Sequence, residues 1–242
     1  MKKHHLIAVL AALLVQGPVV SRTLAAEEDG VAVAIVYDSS GSMGERVADS
    51  TGKSAPKYVI AERALAAVIK RLQVFALSPS TAGEPRRMKV GLYCFSRDGA
   101  RELVKFGPFD PKQVDVFTRN LPSPNGGTPL GNALTTASQV VLKSGLSRKH
   151  VLVITDGMNT VGPDPAKVLP GLKDQATKEQ TGLSVHFVAF DVDAKLFDPL
   201  KKLGATVVGA ADETQLNTQL SFILEKKILL EEEEPAQKPK TN

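Results

Sequence analysis

Within Ile35 to Gly44, IVYDSSGSMG, the chain places a carboxylate at Asp38 and hydroxyls at Ser39, Ser40 and Ser42 immediately after a strand-like run. Two more oxygen-bearing segments follow far along the chain: GGTPLGN with Thr128, and KHVLVITDGMN with Asp156. Each has an ordinary explanation. Asp and Ser after a strand form turns or caps, Thr128 before Pro129 is a good helix cap, and Asp156-Gly157 is a common turn pair. Their joint order and spacing, with oxygen donors in three separate loops, make those separate explanations less sufficient.

The elements that must position these residues are legible from periodicity. VAVAIVY is a continuous apolar run, which suits a central strand covered on both faces. SAPKYVIAERALAAVIKRLQ repeats Ile60, Ala64, Leu65, Val68, Ile69 and Leu72 at helical spacing, with Pro56 at the entry. MKVGLYCF and RELVKF flank Asp98-Gly99, the chemistry of a tight hairpin, which predicts one antiparallel edge. A short helical segment over 111–119 leads to LPSPNGG, and TPLGNALTTASQVVLKSG repeats Leu130, Ala133, Leu134, Ala137, Val140 and Val141, with Thr128 as N-cap. Strand KHVLVIT, helix PAKVLPGLKDQATKEQ, strand SVHFVAF, helix AKLFDPLKKLG, short strand TVV and helix ETQLNTQLSFILEKKILL complete the alternation. The expected fold is α/β: a doubly wound, mostly parallel central sheet with one antiparallel edge strand and helices on both faces. In such sheets ligands bind outside the carboxyl ends of the strands, where all three oxygen-rich loops fall.

The order Asp-x-Ser-x-Ser after a central strand, then Thr in a Gly-rich loop, then Asp-Gly after another central strand resembles the von Willebrand factor A-domain family. The resemblance spans about residues 31–224 and includes Asp156 to Asn159 (Asp-Gly-x-x-Asn) and the late AADETQLNTQL. It implies a metal-ion-dependent adhesion site made by Asp38, Ser40, Ser42, Thr128 and Asp156. The ion would be Mg²⁺, or Mn²⁺ or Ca²⁺, and the partner a protein presenting Asp or Glu. Ser40, Ser42 and Thr128 would bind directly, with Asp38 beneath them and both carboxylates acting largely through water. Ser39 and Gly41 would shape the loop, while Gly126 and Gly127 would let the backbone approach the ion.

Catalytic readings are weaker. Asp38 as a phosphoryl-accepting nucleophile, as in haloacid-dehalogenase-like phosphatases, calls for a general acid two residues later, and Ser40 stands there. SSGSMG is not the G-x-S-x-G elbow of serine hydrolases. No Cys/His cluster has zinc-ligand spacing. His150 and His186 lie within strand runs away from their carboxyl ends, and His186 reads as a core histidine. Asp191 and Asp193 can line the rim of the metal face, though capping of the next helix accounts for them more simply. A binding module rather than an enzyme is expected.

Composition bounds the rest. The 242 residues, 43% hydrophobic, suffice for one domain with a substantial core. MKKHH, the apolar run over residues 6–15 and the small residues before EEDG have the order of a secretory signal. That run is shorter than the roughly 20 residues a spanning helix needs. Cleavage after Ala25 lowers the formal charge from +4 to about +1, which gives no reason to expect a nucleic-acid partner. The expected organisation is a signal peptide over 1–25, one domain over 30–228, and a charged tail over 229–242 whose composition predicts disorder. Export follows, to the periplasm or beyond, with no stable membrane anchor after cleavage. The single cysteine, Cys94, permits no internal disulfide and reads as a buried strand residue.

Overall fold

A computed structural model describes residues 27–80, 85–96 and 99–229. The expected signal over 1–25, the tail beyond 229 and the turn at Asp98 lie outside those residues.

Eight strands and five α-helices are present among the described residues: β1 Glu28–Tyr37, β2 Arg46–Ala48, β3 Ser54–Pro56, α1 Lys57–Leu77, β4 Met88–Ser96, β5 Gly99–Pro108, α2 Leu130–Leu142, β6 Leu146–Thr155, α3 Pro165–Lys178, β7 Ser184–Phe190, α4 Asp198–Lys202, β8 Thr206–Ala210 and α5 Glu213–Ile223. The main sheet runs β5-β4-β1-β6-β7-β8. Only the β4–β5 pair is antiparallel, at one edge, with Ser96 opposite Gly99 as the hairpin expectation requires.

The unbroken apolar run of β1 is explained by its place between β4 and β6. Val31 to Tyr37 are all fully buried, and successive side chains enter opposite layers. Val33, Ile35 and Tyr37 pack with Ile60, Leu65, Val68 and Leu72 of α1 and Leu216 and Leu220 of α5. Ala32, Ala34 and Val36 face Leu130, Leu134 and Ala137 of α2 and Leu169 of α3. The small residues of β1 thus meet the Ala-containing face of α2, which lets that helix approach closely. Cys94 is a buried free thiol in β4 and His186 a buried core residue of β7, as expected; His150 of β6 is buried as well.

After β1 the chain passes to the α1 layer, whereas after β6 it passes to the α2/α3 layer. The adjacent carboxyl ends of β1 and β6 therefore diverge to opposite faces. That divergence opens the crevice where doubly wound sheets bind ligands.

Several expectations need correction. The segment between β1 and α1 is not simple loop, since β2 and β3 pair there as a small hairpin. The segment over 111–119 contributes only a 3₁₀ turn, Val114–Phe117. The helix after β7 divides into a 3₁₀ turn, Ala194–Phe197, and the short α4. Helix α5 gives way to a π-helical turn at Leu224–Ile228.

Candidate metal centre

Asp38 is fully buried immediately beyond β1, and both of its oxygens are occupied. Its Oδ1 accepts from the Ser40 N–H at 2.7 Å and its Oδ2 from the Thr155 hydroxyl at 2.6 Å. The Asp38 N–H in turn donates to the Ile154 carbonyl at 3.0 Å, so the first and third loops are joined at their roots. Burial pushes the Asp38 carboxyl up to about 6; hydrogen bonds from Ser40 and Thr155 oppose the rise, and nearby Asp156 adds to it.

Above Asp38 the hydroxyls converge. A 3₁₀ turn at Gly41–Gly44 brings the Ser40 and Ser42 hydroxyl oxygens to 3.1 Å from each other, and the Ser42 hydroxyl donates to Asp156 Oδ1 at 2.8 Å. Adjacent ligands of an octahedral Mg²⁺ lie roughly 3 Å apart, given metal–oxygen distances near 2.1 Å. Those two oxygen pairs match such an edge. Thr128 arrives from the second loop, buried, with its hydroxyl 3.7 Å from the point where a Cβ on Gly157 would stand; Ser42 Oγ lies 3.9 Å from the same point. Oxygens of all three loops therefore gather over the β1/β6 crevice, and their types suit a hard divalent cation.

A circuit of hydrogen bonds fixes the loops. Gly41 N–H donates to the Gly126 carbonyl at 3.0 Å and Asn125 N–H to the Ser39 carbonyl at 2.8 Å, joining the first and second loops. Thr128 N–H donates to the Thr160 hydroxyl at 2.7 Å, and Thr160 N–H returns to the Thr128 carbonyl at 3.0 Å, joining the second and third. The Ser39 hydroxyl turns away to the Phe95 carbonyl at 3.2 Å, in keeping with a role in loop shape.

Thr128 is not the N-cap of α2. That helix starts at Leu130, and its Gly131 N–H donates to Asn159 Oδ1 at 3.2 Å, so a side chain from the third loop covers the helix end. Among the glycines, Gly126 adopts a positive φ of 79°, a conformation open to glycine at little cost. At Gly127 a Cβ would stand 2.7 Å from Val161 Cγ2 and 2.9 Å from Thr160 Oγ1, so its smallness admits the third loop rather than an ion. Asp193 caps the turn after β7 by accepting from the Lys195 N–H at 2.9 Å, whereas Asp191 reaches the rim of the site.

The residue that the sequence reading overlooked is Lys57, the first residue of α1 and only 3% exposed. Its ammonium lies 3.1 Å from Asp156 Oδ2, 2.9 Å from Glu45 Oε2 and 3.0 Å from Asp191 Oδ2. Burial alone would lower its pKa, but hydrogen bonds to Glu45, Asp191 and Asp156 outweigh that and hold it above the usual lysine value. One sequence signal was available: a cation is disfavoured at a helix N-terminus, so a lysine there needs carboxylates nearby. Thr155 and Thr160 also escaped notice, the first because it reads as the last residue of a strand.

Among the described residues no group of three or more His, Cys, Asp or Glu side chains is arranged to hold a metal, so any ion here depends on hydroxyls. Asp38 is also poorly placed for nucleophilic attack, being fully buried with both oxygens engaged.

The sequence profile of the von Willebrand factor type A domain matches residues 33–159, a little over half of the chain. The chain belongs to the von Willebrand factor type A domain family. All five candidate metal residues fall inside the matched segment. No curated protein matches the chain in sequence comparison. Solved structures share the type A fold: the PilB minor pilin of Streptococcus sanguinis (18% identity, TM-score 0.60) is aligned over 81% of this chain and 60% of the pilin. The chain thus spans about three fifths of that pilin's length. The vWF domain of the type V pili tip protein Mfa5 from Porphyromonas gingivalis gives 14% identity and a TM-score of 0.57, with 81% and 94% of the two chains covered. Proximal thread matrix protein 1 from the mussel byssus, solved with a zinc-occupied MIDAS motif, gives 16% and 0.56, covering 83% and 49%. At these identities the likeness establishes the type A fold. Among the described residues no helix is long and apolar enough to cross a membrane.

Proposed function

We propose that this type A domain is a protein-binding module whose carboxyl face holds a divalent cation, Mg²⁺ or Mn²⁺ in the first place, through Asp38, Ser40, Ser42, Thr128 and Asp156. The convergence of hydroxyl and carboxylate oxygens from three separate loops over one crevice carries this proposal. Bound there, the cation supplies an electrophilic position for an Asp or Glu side chain of a partner. Ser40, Ser42 and Thr128 present neutral oxygens, which leave positive charge on the face for that incoming carboxylate. Asp38 lies beneath them and orients Ser40 through its N–H, while Asp156 orients Ser42 through its hydroxyl. The zinc-occupied motif of the mussel protein and the pilus proteins among the structural neighbours agree with this use of the fold. The proposed role is binding, with no turnover of its own; the buried and fully bonded Asp38 supports it by arguing against a nucleophile at that position. We further propose export to the periplasm or beyond, after removal of residues 1–25 ahead of a domain over 30–228.

Thermal unfolding of the metal-stripped protein tests the site. An ion at 100 times its dissociation constant adds about 2.7 kcal/mol, a rise of roughly 5–10 °C in Tm for a chain of this size. A Ser42→Ala/Thr128→Ala variant should show little or none of that rise. An equal shift in both proteins would place the ion elsewhere, and no shift in wild type would reject the metal. Recovery of binding proteins on the immobilised domain, with and without chelator, then tests the partner's dependence on the ion.

A further inference from the structure

Lys57 joins three carboxylates, one from each of the loops after β1, β6 and β7. Its ammonium is within 3.1 Å of Glu45, Asp156 and Asp191, and the side chain is 4% exposed. Asp156 is thereby held at both ends, with Oδ1 accepting from the Ser42 hydroxyl at 2.8 Å and Oδ2 from the ammonium at 3.1 Å. Asp38 is likewise held at both oxygens, by Ser40 and Thr155. Asp191 reaches Lys57 from a left-handed backbone conformation, φ 52°, which its short polar side chain tolerates. A second bond anchors that loop, from Asp191 N–H to the Ala210 carbonyl at 2.7 Å.

Such bonding limits what the site can offer an ion. Ca²⁺ takes six to eight oxygens, often with a carboxylate binding through both of its own, and accepts irregular geometry. Mg²⁺ takes six in near-octahedral array and is content with one carboxylate oxygen and waters. An Asp156 whose Oδ2 is committed to a buried ammonium can turn at most Oδ1, which it shares with the Ser42 hydroxyl, toward an ion or the waters around it. The same ammonium cancels one negative charge beside the ion, which removes part of the attraction that a less strictly coordinated cation would exploit.

We infer that Lys57 is a positioning residue that sets metal choice: by holding Asp156 Oδ2, it keeps the site selective for Mg²⁺ and Mn²⁺ over Ca²⁺. This rests on the metal-binding reading of the same site, and the two fail differently. Lys57→Met frees Oδ2 and leaves Glu45, Asp156 and Asp191 without their common cation. Ca²⁺ should gain affinity relative to Mg²⁺.

Isothermal titration of Mg²⁺, Mn²⁺ and Ca²⁺ into the metal-stripped full chain provides the test. Wild type should prefer Mg²⁺ to Ca²⁺, and Lys57→Met should reduce the ratio of the two affinities by ~tenfold or more, given the greater appetite of Ca²⁺ for carboxylate oxygens. Lys57→Arg, which keeps the charge and the donors, should retain most of the selectivity. If Lys57→Met weakens both ions in proportion, or leaves the ratio unchanged, Lys57 is a structural tie only and the inference is overturned. Should that variant fail to fold in chelator, Lys57→Gln, which keeps a neutral donor, is expected to shift the ratio in the same direction. Failure of wild type to bind any of the three ions would overturn the metal reading itself, whatever the variants do.

Discussion

Replacing Asp38 with Asn should stabilise the metal-free protein while abolishing its response to metal. Asp38 is fully buried, and its carboxyl titrates at about 6 instead of its ordinary 3.8 because burial penalises the charge. At pH 7 that difference corresponds to about 3 kcal/mol withheld from folding. The amide has the shape to keep both hydrogen bonds. Its oxygen can accept from Ser40 N–H, now at 2.7 Å, and its NH₂ can donate to Thr155 Oγ1, whose own hydrogen then turns to the Gly157 carbonyl 3.2 Å away. A buried amide is not free of desolvation cost, so about 1–3 kcal/mol of the penalty should be recovered, or a rise in Tm of roughly 2–10 °C.

The pH dependence gives the test its sign. A carboxyl whose folded pKa is raised contributes stability that is complete below 3.8 and lost as the pH rises through about 6. The advantage of Asp38→Asn should therefore be largest at neutral pH and shrink toward zero near pH 4. Thermal or urea unfolding in chelator from pH 4 to 8 measures it, and effects common to both proteins cancel in the difference. In excess Mn²⁺ the order should reverse, wild type gaining and Asp38→Asn not. A variant less stable than wild type in chelator at pH 7, or a gap independent of pH, would refute the reasoning.

Two further outcomes concern the scaffold. Burial, with each ring's charged neighbours adding to it, depresses His150 to about 3 and His186 to about 4, so both are neutral when folded; below pH 6.5 the unfolded chain takes up protons that the folded one refuses. Stability measured by urea unfolding should fall as the pH drops from 6.5 toward 4, by up to about 1.4 kcal/mol per pH unit for each histidine, and more steeply in Asp38→Asn, which lacks the opposing titration. Gly131→Ala should be strongly destabilising, because its Cβ would stand 2.0 Å from the Pro163 carbonyl oxygen and force α2 away from the third loop; we expect a loss of more than about 2 kcal/mol and a weakened metal response through displacement of Thr128. Loss of stability without any change in metal affinity would show that Thr128 is positioned independently of that contact.

The fold was legible because its signals are local and redundant. The unbroken run of β1, the helical repeat of α1 and α2, and the hairpin signal at the edge each point to one architecture. The five candidate metal residues were legible for a different reason: three lie within five positions of one loop, and the others follow the same sheet in chain order. What supports those residues was less visible. Thr155 completes Asp38 but looks like any β-branched residue ending a strand, and Asn159 covers α2 from a loop 28 residues away in sequence. Thr128 beside Pro129 has every local mark of a cap, and only the tertiary arrangement shows that Asn159 takes that place. The β2–β3 hairpin eluded periodicity because strands of three residues carry no period to detect.

The charge distribution at the crevice follows from the same topology. Of its two carboxylates, Asp38 is held under burial that resists its ionisation, and Asp156 is already matched by Lys57. The remaining donors, Ser40, Ser42 and Thr128, are neutral. Such a face offers a divalent cation good geometry but little net negative charge, in contrast to sites that hold Ca²⁺ with several free carboxylates. Asp191, a further carboxylate from the strand ends, is likewise paired with the Lys57 ammonium, at 3.0 Å. A carboxylate supplied by another protein would complete what the chain itself withholds. On the proposed metal-binding reading, Lys57 and Asp38 are the two residues through which the affinity of this face can be changed without altering a hydroxyl.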